Sequence, residues 1–175
     1  MHRELTVFEN LEFSAHTRLP ADWAPSRKQQ MIFKVLDSLN LAAIQRSKIG
    51  DEFERGISGG QRKRVNVGLE LVADPKVLFL DEPTSGLDSV SATELSEMLR
   101  SIAEADGLTI AAVIHSPGPA AFAAFHRFLL LQTGGRLVYA GPTRDVETYF
   151  GAIGFPYPRG DTLDTMADYI LKCVA

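Results

Sequence analysis

Two short stretches within residues 56–88 carry residue types that could do phosphate chemistry. The first is Gly56-Ile57-Ser58-Gly59-Gly60-Gln61-Arg62-Lys63-Arg64-Val65-Asn66, which reads as a loop running straight into a helix. Ser58 suits the N-cap, where its hydroxyl can accept from the unpaired N–H groups of the first turn. Gly59 and Gly60 carry no side chain to hold a ligand away from those amides. Val65, Leu69 and Val72 follow at i, i+4 and i+7, one apolar helical stripe. A helix start with free N–H groups, a hydroxyl and the basic run Arg62, Lys63, Arg64 is an anion site, and phosphate suits it best.

The second stretch is Val77-Leu78-Phe79-Leu80-Asp81-Glu82-Pro83-Thr84-Ser85-Gly86-Leu87-Asp88. Four apolar residues after the turn-forming Asp74-Pro75 read as a buried strand that Pro83 ends. Ligands of open α/β sheets sit at the carboxyl ends of strands, where Asp81 and Glu82 emerge. An Asp there can hold Mg²⁺, directly or through water, and an adjacent Glu can polarise an attacking water. Together the two stretches point to nucleotide hydrolysis. Each alone has a plainer reading: Gly-Gly as a turn, Asp-Glu as a solvated strand cap, the basic run as a solvated face.

The elements that must position these residues follow from periodicity and caps. Thr6-Val7-Phe8-Glu9 is a capping-box pattern opening a helix to about Ala15, and Ser26-Arg27-Lys28-Gln29 a second, with Met31, Ile32, Val35, Leu36 and Leu39 on one face. Residues 46–55 read as loop. A helix near 89–104 presents Leu95, Met98, Leu99 and Ile102, Gly107 ends it, and 109–114 is a strand. A short helix at 120–125, a hairpin of 128–132 and 136–140 around Thr133-Gly134-Gly135, a break at Gly141-Pro142 and a helix near 144–151 complete the pattern. Strand, helix, strand implies a parallel α/β core carrying an antiparallel addition. A chain of 175 residues, 45% apolar, is one packed domain by size, and a net charge of −4 argues against a nucleic-acid partner. Cys173, the one cysteine, gives no intrachain disulfide and suits a reducing compartment. No apolar run is long enough to span a membrane, and the first residues lack a signal-peptide core.

Ser58-Gly59-Gly60-Gln61 resembles the signature motif of ATP-binding cassette (ABC) ATPases. Leu78-Phe79-Leu80-Asp81-Glu82 is similar to their Walker B strand with its catalytic glutamate, and Ser85-Gly86-Leu87-Asp88 to their D-loop. His115 falls where their switch histidine stands. The wording around these motifs, with Ile114-His115-Ser116-Pro117, resembles the G (white–brown complex) subfamily of transporters. The resemblance covers roughly residues 5–171. It implies an α/β fold: a partial P-loop NTPase (RecA-like) ABC ATPase core with an α-helical subdomain. Residues 1–73 would be the helical subdomain, 74–140 the part of the core with Walker B, D-loop and switch His, and 141–175 a helical extension towards a transmembrane domain. It also implies ATP and Mg²⁺ as ligands and a second cassette, homologous or identical, bound head to tail. Ser58, Gly59, Gly60 and Gln61 would then contact ATP held across the interface, Asp81 would support Mg²⁺, and Glu82 and His115 would act at the γ-phosphate. Asp88 would cross the interface, and hydrolysis at the cytoplasmic face would drive transport by the linked membrane domain.

This sequence departs from the family in one large respect. It holds no Gly-x-x-x-x-Gly-Lys-Ser/Thr run, and no candidate for the adenine-stacking aromatic or the Q-loop glutamine. Met1 is then an internal methionine of a longer protein or the start of a truncated product. Near the C-terminus, Thr165-Met166-Ala167-Asp168-Tyr169 stands where G-type proteins commonly carry Asn-Pro-Ala-Asp. Three readings follow: the later part of a transporter's ATPase domain, inactive alone and favoured here; a soluble ABC ATPase; or a non-enzymatic piece lending its signature to a partner cassette. Because P-loop amides supply most phosphate contacts in such domains, the 175-residue chain alone is expected to hold Mg-ATP weakly or not at all. Isothermal titration giving micromolar affinity would contradict this.

Overall fold

The computed structural model describes residues 1–51, 56–158 and 165–174. The chain divides into two compact units, Met1–Val113 and Ile114–Ala175.

In the first unit, helix α1 (Val7–Arg18) opens on the reciprocal cap expected at Thr6: Thr6 Oγ1 accepts from the Glu9 N–H, and Glu9 Oε2 from the Thr6 N–H at 2.7 Å. It continues past Ala15 to Arg18, where Ser14 Oγ and the Arg18 guanidinium both donate to Leu69 O. The start of α2 (Pro25–Ser38) corrects the sequence reading. No capping box forms at Ser26; Ala24 is the N-cap and Pro25 the first helical residue. Proline's fixed φ suits that position, and its missing N–H is one that no intrahelical bond would use. Ser26 therefore lies inside the first turn. The expected apolar face holds, with Ile32, Val35, Leu36 and Leu39 buried and Met31 packed at its edge. Residues 52–55 of the 46–55 loop lie outside the described residues; Arg46 and Ser47 are turn and bend, Lys48 bridges to Thr6, and residues 49–51 have no regular structure.

Helix α3 (Gly59–Leu71) seats against both earlier helices. Val65 and Val72 are fully buried, and a Cβ on Gly68 would stand 3.1 Å from Leu11 Cδ2 and Leu39 Cδ1. Strands β1 (Val77–Asp81) and β2 (Thr109–Val113) pair in parallel, Val77 opposite Thr109 and Asp81 opposite Val113. Helix α4 (Ser89–Asp106) crosses between them, buries Leu95, Leu99 and Ile102, and ends at Gly107 in the left-handed region, φ 62°. One buried cluster joins Val7 of α1 to Leu108 before β2. The buried strand expected at 77–80 is covered on one face only. Leu78 packs inward, while Phe79, projecting from the opposite face of the pleat, is 79% exposed with Val77 and Val113 beside it.

The second unit is built on a hairpin of β3 (Arg127–Gln132) and β4 (Arg136–Pro142). Gly134 and Gly135 take φ 87° and 78°, and the Gly135 N–H donates to Gln132 O at 2.9 Å. This tight turn needs two positive φ values, which glycine adopts without strain. The strand runs through Gly141 to Pro142, where a break was expected. Pro142 faces Arg127 on the last rung, where the missing N–H costs no interior ladder bond. The hairpin forms a two-stranded sheet of its own and is not an addition to the parallel pair. Helices α5 (Pro119–Ala123), α6 (Val146–Ala152) and α7 (Met166–Val174) accompany it around Leu130, Tyr139, Val146, Phe150 and Ile170. No helix among the described residues is long and apolar enough to cross a membrane.

These burials set a stability test. Leu11→Ala, at a fully buried position, is expected to cost about 2–5 kcal/mol. Phe79→Ala, on the open sheet face, should change stability by no more than about 0.5 kcal/mol. Denaturant unfolding of both variants checks the pair, and equal losses would mean that the Phe79 face is covered.

Candidate functional site

The start of α3 is built by its own cap. Ser58 Oγ accepts from the Gln61 N–H at 3.2 Å, and Gln61 Oε1 accepts from the Ser58 N–H at 2.9 Å. Gln61 is thus held in a capping box, its carbonyl oxygen turned to Ser58. The Ser58 hydroxyl proton and the Gly59 and Gly60 N–H groups, which no intrahelical acceptor can reach, remain the donors at the helix end. Gly59 lies in ordinary helical backbone, and a Cβ there would meet nothing within 4 Å. Packing among the described residues therefore does not require glycine at that position. A Cβ on Gly60 would stand 3.5 Å from Ser91 Oγ, so the start of α3 lies beside the start of α4.

Asp88 caps α4. Its Oδ1 accepts from the Val90 and Ser91 N–H groups at 3.0 and 2.9 Å, and its Oδ2 from the Ser91 hydroxyl at 2.7 Å. The Ser91 N–H and then the Ser91 hydroxyl hold this carboxyl below its ordinary pKa.

Asp81 and Glu82 end β1 as expected, with Asp81 exposed and Glu82 half-buried. Glu82 has φ 47°, and a non-glycine residue there costs about 1–3 kcal/mol unless its surroundings hold it. Its N–H donates to Val113 O at 2.9 Å, and its carbonyl accepts from the Ser85 N–H at 3.2 Å. Among the described residues no group of three or more His, Cys, Asp or Glu gathers as a metal centre. One exposed carboxylate still fits Mg²⁺ when phosphates and water supply the other ligands.

The basic run corrects the sequence reading. Lys63 and Arg64, read from the sequence as part of the anion site, each hold a partner within the first unit. Lys63 Nζ donates to Glu82 O at 3.2 Å, and Arg64, its side chain 14% exposed, pairs with Glu94 of α4 at 2.5 Å. Sequence reading also missed Ser91, whose only signal was its spacing after an N-capping Asp. His115 belongs to the second unit, where it is exposed beside Ser116, φ 42°. The structure thus brings Ser58, Gly59, Gly60, Gln61 and Asp88 to two neighbouring helix starts, and places Asp81 and Glu82 at the end of β1.

A family profile described as ABC transporter matches residues 1–85, and one described as ABC-2 type transporter matches 115–171. The chain is 48% identical over 159 residues to ABC transporter G family member 28 of Arabidopsis thaliana, covering 91% of this chain and 14% of that protein. It is 43% identical over 170 residues to the broad substrate specificity ATP-binding cassette transporter ABCG2 of Bos taurus, covering 97% of this chain and 25% of that protein. The chain belongs to the G subfamily of ABC transporters. This cassette chain spans a quarter or less of the length of these two relatives. Two solved structures show its fold. One is MJ1267, an ATP-binding cassette of an ABC transporter, with TM-score 0.67 at 22% identity over 87% of this chain and 63% of that one. The other is cbiO1 from Clostridium perfringens, with TM-score 0.68 at 23% identity over 86% and 56%. The α/β ABC ATPase fold expected from the motifs is the fold found.

The cap at Asp88 has a pH signature. A carboxyl whose folded pKa is depressed contributes stability that is fully present above the unfolded value, about 3.9 for Asp, and is lost as pH falls through the lower folded value. Asp88→Asn keeps the cap without the charge. The gap in thermal midpoint between parent and Asp88→Asn should therefore close below about pH 4, and a gap that persists there would assign the effect to shape.

Proposed function

We propose that this cassette chain contributes the signature, Walker B and D-loop parts of an ATP-hydrolysing domain that powers a G-subfamily transporter. The observation that carries this reading is the uncovered start of α3. Its capped serine and two glycines present donors, and among the described residues nothing crowds Gly59. In this reading the division at 73/74 and 140/141 separates a helical subdomain, a catalytic core and an extension towards a transmembrane domain.

The Ser58 hydroxyl and the Gly59 and Gly60 amides bind γ-phosphate oxygens of ATP held by a second cassette arranged head to tail. Gln61 acts through the cap, fixing the Ser58 hydroxyl. Asp88 keeps the neighbouring helix start closed and stands at the subunit interface. Asp81 would hold Mg²⁺, which neutralises phosphate charge when bound. Glu82 orients the attacking water and accepts its proton, and His115 donates to the γ-phosphate. Positioning and charge stabilisation do most of the work in phosphoryl transfer, so rigid helix ends suit it. ATP joins the two cassettes, its hydrolysis releases them at the cytoplasmic face, and a membrane domain uses the motion.

The test is Glu82→Gln in a cassette carrying this chain together with a phosphate-binding loop segment. Hydrolysis should fall by about 10²–10⁴-fold, or roughly 3–5 kcal/mol of barrier, while ATP binding survives and a stable ATP-bound dimer accumulates. Asp81→Asn should instead weaken Mg-ATP binding. Parental turnover in Glu82→Gln would return the acidic pair to a strand cap.

A further inference from the structure

We propose that Lys63 is a positioning residue for Glu82, and that Lys63 with Arg64 clamps α3 onto the segment that carries both Glu82 and Asp88. The inference rests on the reading of Glu82 as the group that acts on water.

The backbone of Glu82 is held from three directions. Its N–H donates to Val113 O of β2 at 2.9 Å, and its carbonyl takes both the Ser85 N–H and Lys63 Nζ at 3.2 Å. The first two bonds come from the sheet and the local turn. Only the lysine comes from α3, the helix whose first residues are Gly59 and Gly60. Glu82 sits at φ 47°, a region that a glutamate does not choose by itself, so its carboxylate aims correctly only while outside bonds hold the backbone. An ammonium on a flexible stem suits the task, since it can reach a carbonyl and keep two further donors hydrated.

The next residue extends the tie. Arg64 reaches Glu94 of α4 with its guanidinium mostly covered. Successive residues on a helix point about 100° apart, and here one reaches the end of β1 and the other the second turn of α4. Glu82 lies before Asp88 and Glu94 after it. When the start of α3 takes up a phosphate, any shift of the helix is carried to the carbonyl of Glu82 and to the first turns of α4 together. The same subunit's signature and water-activating carboxylate then move as one body.

Two measurements test this. In the 175-residue chain, Lys63→Met keeps the stem and removes the donors. Amide hydrogen exchange of residues 82–87 should quicken while the buried turns of α3 keep their protection. In the complete cassette the same variant should lower kcat for ATP hydrolysis by about 10- to 100-fold, with KM for ATP changed by less than about twofold. Lys63→Arg, which restores a donor, should recover most of the loss. A raised KM at parental kcat would make Lys63 a nucleotide contact and overturn the proposal. So would unchanged exchange at 82–87, or a loss that Lys63→Arg does not relieve. Glu82→Gln measured alongside separates the two claims. If it turns over at the parental rate, the role of Glu82 fails, and the exchange result alone then judges the clamp.

Discussion

The depth at which α3 seats against α1 and α2 sets the direction of its N-terminal turn. Gly68 allows it: a side chain there would press on Leu11, Val35 and Leu39 at once. With Val65 and Val72 fully buried on the same helix, the later turns of α3 have no freedom to roll. Interiors close-packed to this degree transmit a displacement rather than absorb it. The first turn is the reverse case. It extends beyond the packed stripe, ends in two glycines and is ordered chiefly by the bonds between Ser58 and Gln61.

Two helix starts next to each other present an electrostatic problem, since each carries partial positive charge. The chain resolves it asymmetrically. At α4 the Asp88 carboxylate accepts three hydrogen bonds and neutralises the end. At α3 the capping groups, Ser58 and Gln61, are uncharged, so the cap itself does not offset the positive end of the helix. The capping groups at the two ends thus differ in one formal charge.

The β1–β2 pair shows how the acids are supported. Parallel strands usually lie between two layers, and here α4 and the helices of the first unit cover one face. The ladder ends at Asp81 opposite Val113, and one further bond, from the Glu82 N–H to Val113 O, carries the pairing into the turn. Beyond that rung the chain must reverse before Pro83 can follow, and Glu82 adopts the left-handed region to do so. The residue proposed to act on water is therefore the one at which the sheet stops and the turn begins.

Much of this was legible in residue order, because the deciding forces were local. The Thr6–Glu9 capping box, Ser58 as an N-cap, the Gly107 stop, the Gly134-Gly135 turn and the apolar faces of α2, α3 and α4 all follow from contacts within a few residues. So did the placing of Asp81 and Glu82 at a strand end, and the family resemblance that the motifs carried. The start of α2 was misread because Pro25 and Ser26 compete for one position and the proline's fixed φ prevails. The fates of Lys63 and Arg64 were not legible at all. In the sequence they are two cations beside an anion site, but their partners, Glu82 O and Glu94, lie 19 and 30 residues away. Only the packing of α3 across the end of β1 and the side of α4 brings those partners within reach. Local propensity determined where helices and turns begin and end; long-range packing decided which partners the charged side chains hold.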